Sequence, residues 1–541
     1  MTTNLRVCIL CLFIGQSFSC SPSPSDPQLS SRPNILFIMA DDHAYQAISA
    51  YDDRLTHTPN IDRLAAEGML FTNASVTNSI CAPSRAVILT GKHSHLNGKV
   101  DNHHPFDTTQ VTFPQLLQAA GYQTAMFGKL HFGNNPKGFD DFEILPGQGA
   151  YYNPDFITKD RGTQTYAGYV TDLITDMTLS WLREDRDPER PFLMMYLHKA
   201  PHREWLPALR HLDSFTQKTF PEPATLFDDY AGRGTAARTA EMNLLEDMNW
   251  SGDSKLYPEV VADLAIDNGD PNAGGFAREV GRLDARQRAI WDTVYGPINE
   301  AFAAAYSGMS ERELMQWRYQ RYLQDYLGSI AAVDEGVGRV LDYLEQSGLA
   351  ENTIVVYTSD QGFFLGEHGW FDKRFVYEQS FRTPLLIRWP KVIEAGTTNS
   401  QMVQNLDFAP TLLDATGVPI PVSMQGESML PLLRGDTANF REAAYYHYYE
   451  YPGIHMVKRH YAIVTEEYKL IHFYYDVDEW ELYDRKRDPQ ELHNVYDDPA
   501  YAEVRDQLLR DLESLRERYH DSEDLDRRYI HQAEEDDRAG Q

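Results

Sequence analysis

Asn34-Ile35-Leu36-Phe37-Ile38-Met39-Ala40-Asp41-Asp42 is an unbroken apolar run that ends in two adjacent carboxylates. Continuous apolarity, in place of an alternation of apolar and polar positions, predicts a strand buried on both faces, as in a parallel sheet. The pattern recurs. Tyr122 to Phe127 runs into Gly128-Lys129-Leu130-His131, Pro191 to Leu197 into His198-Lys199-Ala200-Pro201-His202-Arg203, and Thr353 to Ser359 into Asp360-Gln361-Gly362. Helical patterns at Ile61 to Gly68, Phe113 to Ala120 and Arg318 to Gln346 separate these runs, so an α/β fold is expected. In open α/β sheets ligands bind beyond the carboxyl ends of the strands, which predicts that Asp41, Asp42, Lys129, His131, His198, Asp360 and Gln361 converge on one site. Each alone would read as an ordinary loop residue; the repetition over four strands carries the expectation.

The second informative stretch is Thr77-Asn78-Ser79-Ile80-Cys81-Ala82-Pro83-Ser84-Arg85-Ala86-Val87-Ile88-Leu89-Thr90-Gly91. Pro83, with a fixed φ and no N–H, reads as a helix start, and Gly91 as its stop. Cys81 is thereby expected at a helix N-terminus, where unpaired backbone N–H groups and the helix dipole favour a developing negative charge, with Arg85 one turn on.

The chain has 541 residues, with 49 Lys plus Arg against 80 Asp plus Glu, a formal net charge of −31. That balance argues against nucleic acid or an anionic membrane surface as a partner, and any polyanionic substrate would need a local cationic cluster. Arg6, the apolar run from Val7 to Gly15 and the small residues Ser17 and Ser19 make residues 1–19 a signal peptide, so the protein is expected to be exported. Cleavage before Cys20 would permit a lipid anchor there; freely secreted and lipoprotein forms both stay open. Residues 20–33, rich in Ser and Pro, read as a tether. Of four cysteines, Cys8 and Cys11 fall in the signal peptide, leaving Cys20 and Cys81. No disulfide framework is available, and a lone thiol in an exported fold points to chemistry at Cys81.

Residues 34–438 are expected to form the catalytic domain, with a further strand at Pro384 to Trp389 and a helix at Leu406 to Thr416. Residues 205–320 carry no legible chemistry. Residues 439–541, with strand-like runs at Tyr461 to Thr465, Tyr468 to Phe473 and Glu481 to Asp484 and a helix from Ala500 to Tyr519, read as a smaller α+β domain with an antiparallel sheet. Residues 534–541 read as frayed.

Cys81-x-Pro83-Ser84-Arg85, continued by Leu89-Thr90-Gly91-Lys92, resembles the signature of the type I sulfatases in the alkaline phosphatase-like superfamily. Asn34 to Asp42, Gly128-Lys129-x-His131, His198, Asp360-x-Gly362, Lys373, Leu482-Tyr483-Asp484 and Asp488-Pro489 extend the resemblance over residues 34–497. It implies a large mixed, mostly parallel sheet sandwiched by helices. It also implies oxidation of Cys81 to formylglycine by a separate maturation enzyme; the hydrated aldehyde would attack sulfur. By the same resemblance Arg85 and Lys129 hold the hydrate and the sulfate, His131 takes a proton during release, and His198 with Lys373 protonates the leaving sugar oxygen. Asp41, Asp42, Asp360 and Gln361, joined by the converted Cys81, form an all-oxygen set that suits Ca²⁺ better than zinc.

The strings Thr77 to Asn97, His198 to Arg203 and Gly366 to Lys373 are similar to enzymes that remove 6-O-sulfate from N-acetylglucosamine. The expected function is therefore an exported carbohydrate sulfatase, periplasmic, secreted or an outer-membrane lipoprotein. Its substrate would be a sulfated oligosaccharide ending in 6-O-sulfated N-acetylglucosamine or N-sulfoglucosamine, with His202, Asp372 and Arg374 as sugar-binding candidates. Rival readings are a sulfatase for galactose, fucose or uronate esters, a phosphonate or phosphate-ester hydrolase of the same superfamily, and a glycan-binding protein that stacks sugars on Tyr445 to Tyr451.

Overall fold

The computed structural model describes residues 32–540 apart from 267–272, 437 and 439. The expected signal peptide, Cys20 and nearly all of the 20–33 tether lie outside the described residues. A ten-stranded sheet organises the rest, in the order Thr397–Asn399, Met69–Phe71, Leu385–Arg388, Thr353–Ser359, Asn34–Ala40, Phe192–Leu197, Gln123–Lys129, Asp141–Leu145, Asp155–Thr158, Gly162–Thr165. Asn34–Ala40 is central and parallel to both neighbours, and Gln123–Lys129 continues the parallel run. The two edges are antiparallel additions: Leu385–Arg388 pairs antiparallel with Thr353–Ser359, and Asp155–Thr158 with Asp141–Leu145. The sheet is mixed and mostly parallel, as expected.

Why the central strands are apolar throughout is visible in the packing. Ile35, Phe37 and Met39 face a core shared with the helices Cys81–Thr90, Phe113–Ala119 and Phe408–Ala415. Leu36, Ile38 and Ala40 face the opposite core, closed by Pro59–Ala66, Val170–Ser180 and the 36-residue helix Glu311–Gln346. Successive side chains of a strand point to opposite faces, so both parities must be apolar when both faces are covered. Register then decides where the polar ends fall. Ala40 lies opposite Ser359, Met39 opposite Leu197, and Gly128 opposite Leu197, so the residues that follow these strands emerge side by side at one edge. Gly128 has φ 111°, and a Cβ there would stand 1.8 Å from the Leu197 carbonyl oxygen; only glycine lets the two strands approach beside Lys129.

The Cys81–Thr90 helix begins two residues before Pro83. Ile80 is its extended N-cap, and Ser84 N–H makes the first bond back to the Ile80 carbonyl at 3.0 Å. Pro83 thus sits inside the first turn, where its missing N–H still goes unneeded. Gly91 closes the helix in the left-handed conformation, φ 61°.

Residues 205–320 are more regular than the sequence suggests, with helices at Pro258–Leu264, Ala273–Gly281 and Ala285–Ala305, the last opened by an Asp284/Gln287 capping box despite Pro297 inside it. The long helix starts at Glu311 rather than Arg318, because Ser310 and Glu313 form a second capping box. A four-stranded antiparallel sheet, Ala443–Tyr448, His460–Thr465, Tyr468–Phe473 and Glu479–Asp484, forms the smaller region. Its two faces pack on different neighbours: Tyr446 and Tyr448 against Val76, Ile80 and Trp370, and Tyr445 and Ile463 against Leu508 and Leu512 of the helix Ala502–Arg518. A helix runs from Glu523 to Gly540, across most of the stretch expected to be frayed.

Candidate active site

The four strand ends and the Cys81 helix meet in a buried polar cluster. Cys81 Sγ donates to Asp41 Oδ1 at 3.5 Å, with both residues fully buried. Arg85, one turn into the helix, reaches Asp41 Oδ2 at 3.3 Å and Asp360 Oδ2 at 2.9 Å, and also donates to the Lys129 carbonyl. Lys129 Nζ contacts the Asp41 carboxylate and Gln148 Oε1. Lys373 Nζ spans both Asp42 oxygens at 2.7 and 2.6 Å. Helix start, strand ends and the Gly366–Arg374 loop therefore place Cys81 among three cations and three carboxylates.

Asp41, Asp42 and Asp360 can each present an oxygen within 4.8 Å of the others. Burial, opposed by Lys373 and reinforced by Asp41 and Asp360, pushes the Asp42 carboxyl up to about 8; burial and the Asp41 charge push Asp360 up to about 6. Asp41 is also penalised by burial, yet Lys129 and Arg85 hold it well below the usual carboxylate range. Gln361 Nε2 donates to Asp42 Oδ1, while its Oε1 is buried without a hydrogen-bond partner among the described residues. Clustered buried carboxylates beside an unpartnered amide oxygen are what a hard cation relieves, so Asp41, Asp42, Asp360 and Gln361 fit a bound metal ion with oxygen preference.

A cavity of about 440 Å³ opens above Cys81. Lys373, Asp372 and Arg374 line it, as do His202, Lys199 and Glu204. Asp372 is cross-linked: Oδ1 accepts from Arg374 Nη1 at 2.7 Å and from the Lys373 N–H at 2.8 Å, and Oδ2 pairs with His455 Nε2 at 2.9 Å. Asp372 and Arg374 thus brace the loop and face the cavity at once.

The two histidines of His198-Lys199-Ala200-Pro201-His202 separate. His198 is fully buried, both ring nitrogens lack hydrogen-bond partners among the described residues, and its ring packs edge-on against Tyr196 with centroids 4.3 Å apart. It does not line the cavity, and burial pushes its pKa down to about 3. His198, expected to protonate the leaving sugar oxygen together with Lys373, thus stands away from the cavity that Lys373 lines. His202 is the histidine beside the nucleophile: a ring nitrogen of His202, an Asp41 oxygen and Cys81 Sγ lie within 4.8 Å of one another, and His202 Nε2 is 3.8 Å from Asp42 Oδ2. A carbonyl can only accept, so the 2.5 Å contact of His202 Nδ1 with the Arg203 carbonyl puts the proton on Nδ1 and leaves Nε2 for the cavity. His131, at φ 66°, has a buried Nδ1 without a hydrogen-bond partner among the described residues; burial and Lys129 depress its pKa, but it does not line the cavity.

The sulfatase family profile matches residues 33–418, and the profile for the C-terminal part of N-sulphoglucosamine sulphohydrolase matches residues 366–518. This chain belongs to the sulfatase family. The N-acetylglucosamine-6-O-sulfatase of Bacteroides thetaiotaomicron is 49% identical to this sulfatase over 503 residues, 91% of this chain and 88% of the relative. A solved structure of a protein in complex with its substrate, D-glucosamine-2-N,6-O-disulfate, matches with a TM-score of 0.86 at 49% identity, covering 91% of this chain and 99% of that one. A phosphonate monoester hydrolase of Agrobacterium radiobacter has the same fold, with a TM-score of 0.67 at 21% identity over 90% of this chain and 96% of that one.

This sulfatase is a sulfuric ester hydrolase, and the α/β architecture expected from the strand runs is the one it has. The alternative of a sugar-stacking surface at Tyr445 to Tyr451 is overturned: Tyr445, Tyr446 and Tyr448 are fully buried core residues. Gln148, Lys199, Glu204, Glu279 and His455 were not anticipated. They come from connecting loops and from the 205–320 region, where no periodicity or spacing marks a site residue.

Proposed function

We propose that this sulfatase removes 6-O-sulfate from N-acetylglucosamine or N-sulfoglucosamine at the end of a sulfated glycan, with Cys81 converted to formylglycine. The observation that carries the substrate is the 49% identity, over nine-tenths of the chain, to a relative whose described substrate is the 2-N,6-O-disulfate of glucosamine. The site supports it chemically. Cys81 lies at the floor of a cavity, fully buried, so a single terminal sugar reaches it more readily than the interior of a long chain. A net charge of −31 disfavours laying a polyanion across the surface, while Arg85, Lys129 and Lys373 supply the local cations.

Formylglycine supplies, as its hydrate, one hydroxyl to attack sulfur and a second whose deprotonation expels sulfate, a release step that a serine ester lacks. A hard cation such as Ca²⁺, held by Asp41, Asp42, Asp360 and Gln361 with the converted residue 81, would polarise the sulfate oxygens. Arg85 and Lys129 flank the nucleophile and offset charge developing on it and on the sulfate. His202 Nε2 faces the cavity unprotonated in the neutral ring; it takes up a second proton from solvent and passes it to the leaving sugar oxygen, with Lys373 beside it. His131 takes a proton during release. Asp372 and Arg374, already fixed by each other, hydrogen-bond the sugar hydroxyls. Export by residues 1–19, to the periplasm, the medium or an outer-membrane anchor on Cys20, brings the enzyme to polymeric glycans, and a formylglycine-generating enzyme is its required partner; cell fractionation with and without Cys20→Ala checks the location.

The substrate test is a panel of glucosamine, galactose, galactosamine, fucose and uronic acid monosulfates with each hydroxyl represented. Highest kcat/KM is expected on 6-O-sulfated N-acetylglucosamine or N-sulfoglucosamine; preference for a galactose, fucose or uronate ester would overturn the assignment and leave the sulfatase chemistry standing. For the metal, stringent chelation should lower turnover and Ca²⁺ should restore it better than Zn²⁺, since the ligand set holds only carboxylate and amide oxygens. Asp360→Ala should behave like chelation that no ion reverses, and restoration by zinc alone would contradict the oxygen-ligand reading.

A further inference from the structure

A second set of charged groups faces the same cavity, away from any role assigned above. Lys199 is 2% exposed, lines the cavity, and receives no hydrogen bond or ion-pair partner from the described residues; its ammonium stands 4.6 Å from the centre of the Tyr151 ring. Burial pushes its pKa down, offset in part by Glu279. Glu279 stays beyond ion-pair distance of it, with one carboxylate oxygen accepting the Tyr151 N–H at 2.9 Å. Glu204, also on the cavity wall, has a carboxylate that accepts no hydrogen bond from the described residues, and burial together with the Glu279 charge pushes it up to about 7. A largely buried ammonium held only by a ring face and by carboxylates beyond ion-pair distance leaves part of its desolvation cost unrepaid, and a ligand anion in the cavity would offset it. The wall offers, beyond ion-pair distance of each other, a donor that lacks an acceptor and an acceptor that lacks a donor among the described residues.

We propose that Lys199 and Glu204 form a subsite for the sulfamate of an N-sulfated amino sugar, its sulfonate oxygens on the Lys199 ammonium and its N–H on the Glu204 carboxylate. The chemistry selects this group. A sulfamate carries one N–H beside three anionic acceptor oxygens, whereas an N-acetyl group offers the N–H with a neutral carbonyl, and an O-sulfate offers the anion with no donor. The inference rests on the 6-O-sulfatase reading above and adds which 2-substituent that site prefers.

The test compares kcat/KM for N-sulfo-6-O-sulfoglucosamine and N-acetyl-6-O-sulfoglucosamine in the matured enzyme, in Lys199→Met and in Lys199→Arg. Lys199→Met should lower the ratio of the first to the second by about tenfold or more, the scale of one charged hydrogen bond, chiefly through KM. Lys199→Arg should recover most of that ratio. A purely structural lysine would reduce both substrates by the same factor, and an unchanged ratio in Lys199→Met overturns the proposal. Calorimetric binding of N-sulfoglucosamine without a 6-O-sulfate decides the subsite separately from turnover. Weakening by Lys199→Met that Lys199→Arg reverses upholds it, equal binding by all three proteins overturns it, and a wild type that binds yet releases no 6-O-sulfate sinks the function reading alone.

Discussion

His202→Ala should lower kcat by about a hundred to ten-thousandfold, the usual worth of a positioned acid or base, while His198→Ala leaves turnover of the folded enzyme within a small factor. The two side chains are four positions apart and differ in what surrounds them. His202 Nε2 faces the cavity beside Cys81 and Asp41, with Nδ1 pinned to the Arg203 carbonyl. His198 is sealed against Tyr196 and has no hydrogen-bond partner among the described residues. Truncating His198 should instead cost stability, about 2 kcal/mol or more for a large buried side chain, read by chemical denaturation. A second measurement separates proton transfer from positioning. With a nitrophenyl sulfate the leaving oxygen needs no proton, so the His202→Ala defect should shrink on that substrate; an equal defect on sugar and aryl sulfates would deny His202 the role of acid.

Cys81→Ala should abolish turnover, on the order of a millionfold, the scale seen when an enzyme loses its nucleophile. The fold should survive, because the change removes one sulfur atom from a site already held by Arg85, Asp360 and the helix itself, and about 1 kcal/mol is the expected cost. Thermal unfolding of the variant alongside its activity checks both halves. A Cys81→Ala protein that keeps measurable sulfate release would move the chemistry to another residue.

How much of this was legible in the sequence follows from what a strand can and cannot specify. Asn34 to Ala40, Gln123 to Lys129, Phe192 to Leu197 and Thr353 to Ser359 announced themselves because strands covered on both faces have no polar positions to spare, and parallel register then aligns their ends without further information. Convergence of Asp41, Asp42, Lys129 and Asp360 was therefore readable. Direction was not. A strand end gives the place of His198 but not the side on which its ring falls, and the turn that closes with His202 N–H on the Lys199 carbonyl at 3.0 Å hands the cavity to the later histidine.

The cavity wall was less legible still. Glu279 rides on the Ala273–Gly281 helix inside a region whose next helix carries Gly296 and Pro297, so composition there argued for loops while tertiary packing made helices. The strand Ala443–Tyr448 escaped for a different reason: its tyrosines and His447 are buried on both faces, and buried Tyr and His give no alternation to read.

The central claim is that residue 81 acts only after conversion from cysteine to formylglycine. Mass spectrometry of the peptide containing residue 81, made on preparations matured to different extents and set against sulfate released from 6-O-sulfated N-acetylglucosamine, tests it directly. Turnover proportional to the formylglycine fraction, falling to zero as that fraction does, is the predicted result. Full turnover by protein that carries only the cysteine thiol would contradict it.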